Sequence, residues 1–308
     1  MIAAHADWSA HPGKRWACVA ARAPRGWMAA VPRLVGDPAR LLPSLMAGGA
    51  PVALGLDLPL GLPRAFAAGR AEPDFPAFLA ARLPEEPFFQ VADSLESVSL
   101  ARPFYPMRGV RGMRRAAHAA ALGFAGPAAL SRACDRATAD RPAGAPLFWT
   151  LGANQTGKAA ITAWRDWLGP ALRAGAPIAL WPFAGPLAGL LAPGRAVLAE
   201  VYPAEALRQL GLRLAGSKRD TAARRDLAGP LEAVMARLGV RPDADLAEAI
   251  AEGFGTDAAG EDRLDCVLGL LNLVAVLHGA RPDHIPADPW IRRWEGWVLG
   301  QAGPPAAP

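Results

Sequence analysis

The chain has 308 residues, of which 52% are apolar and 20% charged, so it can bury a sizeable core and wholesale disorder is disfavoured. Its 32 glycines and 31 prolines argue against a coiled coil or a helical repeat array. The net charge is +5, but only three of the 33 cations are lysines, and this arginine excess is typical of a GC-rich genome, so the charge says little about function. No apolar run approaches the ~20 residues of a membrane-spanning helix, and the N-terminus lacks a signal-peptide pattern. We therefore predict a cytoplasmic protein that does not enter the membrane.

The N-terminal region predicts a meander of three short antiparallel strands, because the connections between them are too short for a crossover helix. The strands span 2–7, 16–21 and 27–31. Asp37 is then a natural N-cap for a helix that runs from Pro38 through Met46. Residues 52–58 follow as an apolar strand, interrupted only by Asp57, which is typical of a buried parallel strand.

The rest of the chain predicts helices and two further strands. We expect a helical insertion at about 63–141, a strand or loop at 148–151, strands at 178–182 and 196–201, and helices at 158–168, 204–210, 226–238, 244–252 and 262–278. We find no linker, so a single domain is predicted over 1–299, with a disordered tail at 300–308. The cysteines, Cys18, Cys134 and Cys266, lie far apart in the sequence and are expected to be reduced, packed thiols.

This order of elements predicts an α/β fold of the RNase H-like type. Its mixed sheet would combine an antiparallel meander with parallel strands and would carry helices on both faces. The chemistry of that fold needs carboxylates that converge from strand ends and from the last helix, because two divalent cations ~3.5–4 Å apart require several oxygen ligands. The sequence has an acidic residue at each such place, namely Asp7, Asp57, Glu200, Asp262 and Asp265.

Each acidic residue also has a simpler interpretation. Asp262 alone is best explained as the N-cap of the last helix, and Asp7 as the end of an exposed strand. Asp57 and Glu200 are harder to explain in this way, since a carboxylate within an apolar strand costs several kcal/mol unless it is paired or bound to metal. Asp265 lies one turn into its helix, where a charge gains little from the helix dipole, which favours a functional role.

Four sequence motifs resemble one family, the predicted RNase H-like nucleases of domain of unknown function 429. The motifs begin at Gly55 (GLDLPLGLP), Glu200 (EVYPAEAL), Ser217 (SKRD) and Asp262 (DRLD), and the resemblance covers nearly the whole chain. It implies metal ligands at Asp7, Asp57, Glu200 and Asp265. One departure is the context of Asp7, HADWS, where relatives more often have a Gly-x-Asp opening.

Residues 152–159 nearly match a phosphate-binding loop, G-x-x-x-x-G-K-[ST]. The last position is Ala159, so the hydroxyl that binds Mg²⁺ in such loops is absent, and we interpret the segment as a loop followed by a helix. Lys158 remains a candidate for contact with a substrate phosphate, as do Lys218 and Arg219, which lie in a loop after the Glu200 strand.

The sequence therefore predicts a Mg²⁺- or Mn²⁺-dependent hydrolase that cleaves phosphodiester bonds in nucleic acid, DNA or RNA. Asp7, Asp57, Glu200 and Asp265, with Asp262, would hold the metal ions, and Lys218, Arg219 and Lys158 would bind the substrate. The alternatives are a non-catalytic RNase H-like module that binds nucleic acid or a protein, and a nucleotide-dependent phosphotransferase. The oligomeric state is left open.

Overall fold

The computed structural model describes residues 1–109, 113–137, 141–151 and 156–303. Its strands are β1 (Ile2–Asp7), β2 (Trp16–Ala23), β3 (Gly26–Ala29), β4 (Arg33–Leu34), β5 (Val52–Leu56), β6 (Ile178–Leu180), β7 (Ala196–Glu200) and β8 (Val240–Pro242). Its α-helices are α1 (Pro38–Met46), α2 (Arg64–Ala67), α3 (Phe75–Ala81), α4 (Arg115–Ala121), α5 (Thr156–Ala163), α6 (Gly169–Arg173), α7 (Leu187–Leu190), α8 (Pro203–Gln209), α9 (Thr221–Asp226), α10 (Ala228–Arg237), α11 (Ala244–Ala251) and α12 (Gly260–Leu277). Short 3₁₀ or π turns span Pro12–Lys14, Pro87–Phe89, Pro127–Leu130, Ala133–Asp135, Trp164–Leu168 and Ile291–Glu295.

The strands form one mixed sheet in the order β6-β7-β5-β1-β2-β3-β8, with β4 paired to β2. The strands β1, β2 and β3 are an antiparallel meander, whereas β5 runs parallel to β1, and β7 parallel to both β5 and β6. The predicted α/β fold class, with a mixed sheet and helices around it, is thereby confirmed. The carboxyl ends of β1, β5 and β7 consequently lie side by side at one edge.

The chain divides into two compact units. The first unit contains the sheet and consists of Met1–Leu58, Pro177–His284 and Val298–Gln301. The second consists of Pro59–Ala176, Ile285–Trp297 and Ala302–Pro308, so the insertion predicted at 63–141 lies within it. That the chain folds as one domain stays a prediction.

The second unit has an aromatic core. Phe66 packs against Phe78, Phe88 and Phe148, with ring centroids 5.0 to 6.1 Å apart. Trp164 extends this cluster towards Phe75, and its indole nitrogen donates to the Pro59 carbonyl at 3.0 Å. The short helices α2 and α3 thus contribute their aromatic rings to one shared apolar core.

Several boundaries differ from those predicted. The helix expected at 226–238 is α10, and α9, which precedes it, was not predicted, nor were β4 and β8. Residues 148–151 form a loop with one bridge between Tyr105 and Trp149. Within the predicted tail, Gln301 is buried and the Gly300 amide donates to the Asp283 carbonyl, while 304–308 lie outside the described residues.

All three cysteines are buried free thiols, as predicted. Among the helices in the described part of the chain, none is both long and apolar enough to cross a membrane.

Candidate metal centre

Asp7 and Asp57 lie next to each other at the carboxyl ends of two parallel strands. Asp7 is the last residue of β1, and Asp57 directly follows β5, where its amide donates to the Ala6 carbonyl at 3.0 Å. The two carboxyl groups are joined by a hydrogen bond. Such a bond needs a proton on one of the two oxygens, so the two carboxyl groups share a proton when no metal ion is bound.

Helix α12 brings a third carboxylate, that of Asp265, near enough for its charge to raise the pKa of both Asp7 and Asp57. The helix packs across β1, β2 and β5. The approach is close because Gly269 has no side chain, and a Cβ atom there would lie 2.3 Å from the buried His5 ring. One turn earlier, the Cys266 thiol is hydrogen-bonded to the Asp7 backbone, which fixes the start of α12 beside the end of β1.

Lys218 is the cation that the structure places in this group. Its Nζ donates to Asp265 Oδ1 at 2.5 Å, and both side chains are largely buried, with 18% and 14% of their surface exposed. The Lys218 carbonyl accepts from the buried guanidinium of Arg224, which also donates to the Gly253 and Gly255 carbonyls. The loop that carries Lys218 is therefore held by hydrogen bonds from the Arg224 side chain to main-chain carbonyls. Arg219 differs, because its side chain is 81% exposed and pairs with Glu261 at 3.3 Å.

The protonation of these carboxyl groups reflects their crowding. Burial raises the pKa of Asp57 to about 7, and the charge of Asp265 adds to the increase, while Lys218 opposes it. Burial likewise raises the pKa of Asp265 to about 6 against the lowering effect of Lys218. The pKa of Asp7 is raised well above its usual range by burial, then by the charges of Asp57 and Asp265. One ammonium group thus does not neutralise the site, and its carboxylates repel each other when ionised.

Asp262 interacts electrostatically with two of these aspartates. Its charge contributes to the raised pKa of both Asp7 and Asp265. The interpretation of Asp262 as the N-cap of the last helix is wrong, because α12 begins at Gly260 and the N-cap position is Ala259. Asp262 instead lies in the first helical turn.

Glu200 lies on the other face of the sheet. It ends β7 and pairs with Leu56, so the residue of β7 level with Asp57 is Val201. The Val201 side chain lies beside the place that a Cβ atom on Gly55 would occupy, and its carbonyl lies 3.3 Å from Nε2 of the His5 ring. Because the His5 ring is also what Gly269 of α12 approaches, Val201 faces α12. Side chains alternate along a strand, so Glu200 points away from that face. It is completely buried, and its charge still contributes to the raised pKa of Asp57, but the strand register does not bring it to the three aspartates.

Lys158 lies in α5 of the second unit and is half-buried. Of the loop that resembles a phosphate-binding motif, residues 152–155 lie outside the described residues.

Sequence reasoning missed two supports of the site. These are the contact of His5 with Gly269 and the anchoring of the Lys218 loop by Arg224. A histidine among small strand residues and a glycine within the most apolar helix were visible signals of the first. The second had no signal, because α9 was not predicted.

The carboxylate oxygens of Asp7, Asp57 and Asp265 are of the kind that a hard divalent cation such as Mg²⁺ or Mn²⁺ prefers. The chain matches no protein-family model, no curated protein and no solved structure in the comparisons made with them.

Proposed function

We propose that the protein is a divalent-metal-dependent nuclease that hydrolyses phosphodiester bonds, with Asp7, Asp57 and Asp265 as its metal ligands. The observation that carries the proposal is the electrostatic interaction of these three buried carboxylates, each of which has a raised pKa, together with the ion pair between Asp265 and Lys218. Buried acids that repel each other destabilise a metal-free protein, and a divalent cation relieves that repulsion. The resemblance of the four sequence motifs to those of RNase H-like nucleases supports the same interpretation.

The donor set fits Mg²⁺ or Mn²⁺, because it consists of carboxylate oxygens, two at the ends of neighbouring strands and one on α12. A bound divalent cation supplies an activated water molecule and stabilises the oxygen that leaves the phosphorus. Asp57 and Asp7 must lose their shared proton before both can bind metal. Activity is therefore expected to increase as the pH rises through about 7, the pKa of Asp57.

Lys218 and Arg219 have different roles in this proposal. Lys218 is buried beside Asp265, so its ammonium group is assigned to the charge of the scissile phosphate. Arg219 is exposed and is assigned to a flanking phosphate, whose contact adds affinity without sequence preference. Glu200 is left out of the ligand set because it faces the other side of the sheet.

The test is cleavage of single- and double-stranded DNA and RNA with Mn²⁺ at pH 8, for the wild type and Asp57→Asn. Asp245→Asn is the matched control, since Asp245 is exposed in the first turn of α11. We expect the wild type and Asp245→Asn to cleave at equal rates, and Asp57→Asn to be slower by at least about a hundredfold. Equal cleavage by all three proteins would reveal a contaminant or a misplaced site. Mn²⁺ binding without cleavage of any substrate would favour the non-catalytic binding module.

A further inference from the structure

The second unit has an open pocket of about 250 Å³, and none of its lining residues belongs to the proposed metal centre. Its lining combines aromatic, charged and small side chains, namely Ala67, Arg70, Glu72, Trp290, Arg293 and Trp294. Ligand pockets usually begin at roughly 300 Å³, so this pocket fits one small ligand that remains partly outside it.

The pocket lies between two chain segments, one that follows Gly61 and one that ends at Glu295, and the main chains of these segments are held together. Gly61 lies against the main chain of Glu295, where a Cβ atom would be only 2.0 Å from the carbonyl oxygen. The next amide, that of Leu62, donates to the Trp294 carbonyl at 2.7 Å. The Glu295 carboxylate accepts hydrogen bonds from the amides of Arg64 and Ala133, and these bonds also hold the turn that carries Trp294. A pocket whose two chain segments are held together in this way is preorganised for its ligand.

Cations outnumber available anions around the pocket. Arg70 is half-buried, its guanidinium lies 4.2 Å from the centroid of the Phe66 ring, and its Nε makes a long 3.5 Å contact with the Phe66 carbonyl. Its terminal nitrogens form no hydrogen bond or ion pair with the residues that the structure describes. The one carboxylate in the lining, Glu72, is held by Arg82 at 2.6 Å. Arg293 uses Nε and one terminal nitrogen on the Pro73 carbonyl, which leaves its other terminal nitrogen for a ligand.

Trp290 adds a flat aromatic surface to these cations. Its indole ring lines the pocket and is half-buried. The Arg64 guanidinium lies 5.0 Å from the ring centroid, so the ring already binds one planar cation. Its amide donates to the Asp288 side chain at 2.8 Å, which fixes the backbone from which the ring projects.

We propose that this pocket binds a nucleoside phosphate, with the base stacked on Trp290 and the phosphate between Arg70 and Arg293. A plain anion would use the arginines but not the ring, whereas a nucleotide uses both, and guanidinium groups match phosphate oxygens in geometry. The ligand is either a free nucleotide or the phosphorylated end of a nucleic-acid strand. The proposal does not depend on the metal centre.

The test measures binding calorimetrically in EDTA, so that failure of the proposed nuclease activity cannot affect it. The ligands are AMP, adenosine, inorganic phosphate and an oligothymidylate of about eight nucleotides with and without a 5′-phosphate. The variants are Trp290→Ala, Trp290→Phe and Arg70→Gln, each checked by thermal unfolding. Arg40→Gln is the matched charge control, because the Arg40 side chain is 89% exposed on α1.

We expect Trp290→Ala and Arg70→Gln to weaken AMP binding by about tenfold or more, with partial recovery in Trp290→Phe and no change in Arg40→Gln. Binding of AMP alone identifies a free nucleotide as the ligand, and binding of the oligonucleotide that needs its 5′-phosphate identifies a strand end. The proposal is overturned if neither binds at millimolar concentration. It is equally overturned if adenosine or phosphate binds as tightly as AMP, or if Arg70→Gln binds as the wild type does.

Discussion

Asp57 is stabilised in its protonated form by the folded protein. Its pKa is about 7 because burial and the charge of Asp265 both oppose ionisation, whereas an aspartate in an unfolded chain has a pKa near 4. The folded state therefore binds protons more tightly than the unfolded state between about pH 4 and pH 7. The stability that this group contributes is complete below pH 4 and is lost as the pH rises through 7.

We expect Asp57→Asn to stabilise the metal-free protein increasingly as the pH rises from 4 to 8. An amide never ionises, so the variant avoids the repulsion that the wild type develops, and the gain at pH 8 should be at least about 1 kcal/mol. Urea unfolding in EDTA at several pH values measures the difference in free energy of unfolding. Asp245→Asn should show a difference that does not change with pH. A constant difference for Asp57→Asn as well would mean that Asp57 ionises normally.

Glu200 allows a second prediction about single residues. Because it points to the face opposite the aspartates, Glu200→Gln should leave the affinity for Mn²⁺ within about twofold of the wild type, while Asp57→Asn weakens it by about tenfold or more. Titration of Mn²⁺ by electron paramagnetic resonance gives both dissociation constants. Equal losses in the two variants would place Glu200 among the ligands and contradict the strand register described above.

The alternation of side chains along a strand also shows how far the sequence could predict the site. Acids at strand ends and in the last helix indicated Asp7, Asp57 and Asp265, whose charges interact in the structure, and their role as metal ligands stays a prediction. The sequence could not tell that Glu200 pairs with Leu56 rather than with Asp57, and a shift by one residue moves a side chain to the other face. Register depends on the hydrogen bonds between strands, and no single strand carries that information.

At the scale of elements, the position of α12 depends on one glycine. Gly269 allows the helix to rest on the His5 ring, whose Nε2 lies 3.3 Å from the Val201 carbonyl. Any side chain at Gly269 would push α12 from the sheet, and Asp265 and Cys266 would move with it.

We expect Gly269→Ala to lower the free energy of unfolding by about 1–3 kcal/mol or more, because the new Cβ atom would overlap the buried ring. The same change should weaken Mn²⁺ binding, since Asp265 lies one turn away. Gly229→Ala in α10 is the control, because open space surrounds Gly229 and alanine favours a helix by roughly 0.5–1 kcal/mol. Urea unfolding should thus give opposite signs for the two variants. A stabilised Gly269→Ala would show that α12 does not approach the sheet so closely.

The elements that the sequence predicted are those with a strong local signal. Asp37 caps α1 as expected, with its side chain accepting from the Ala39 amide at 3.0 Å. The strand β8 escaped prediction because it has three residues, includes Pro242, and exists through its parallel pairing with β3. Helix α9 was not predicted because it has only six residues, and because two of the carbonyls to which its Arg224 donates lie about 30 residues further along the chain. Short elements of this kind are created by tertiary contacts, which a local pattern does not contain.

At the scale of the whole molecule, the first unit is assembled from three separate chain segments. Asp7 and Asp57 belong to the first segment, and Lys218 and Asp265 to the second. A cation bound by the three aspartates would link residues more than 200 positions apart, so binding should be strongly coupled to folding of the unit.

We therefore expect Mn²⁺ to raise the midpoint of thermal unfolding of the intact chain by several degrees at pH 8. At a hundredfold excess over the dissociation constant, binding to the folded state alone adds about 2.7 kcal/mol. The increase should shrink at pH 6, because Asp57, with a pKa of about 7, and Asp265, with a pKa of about 6, then hold protons that compete with the metal. Differential scanning calorimetry with and without Mn²⁺ at both pH values measures the effect.

Asp57→Asn and Asp245→Asn separate a specific site from general binding of cations to the surface. Each variant removes one negative charge, so weak surface binding of Mn²⁺ would change equally in both. A specific centre instead predicts that Asp245→Asn keeps the full increase and that Asp57→Asn loses most of it at pH 8. If both variants kept the increase, or if the wild type showed none at either pH, then the aspartates would be a crowded acidic cluster without affinity for metal. The nuclease proposal would fail with them, while the nucleotide pocket of the second unit would be untouched.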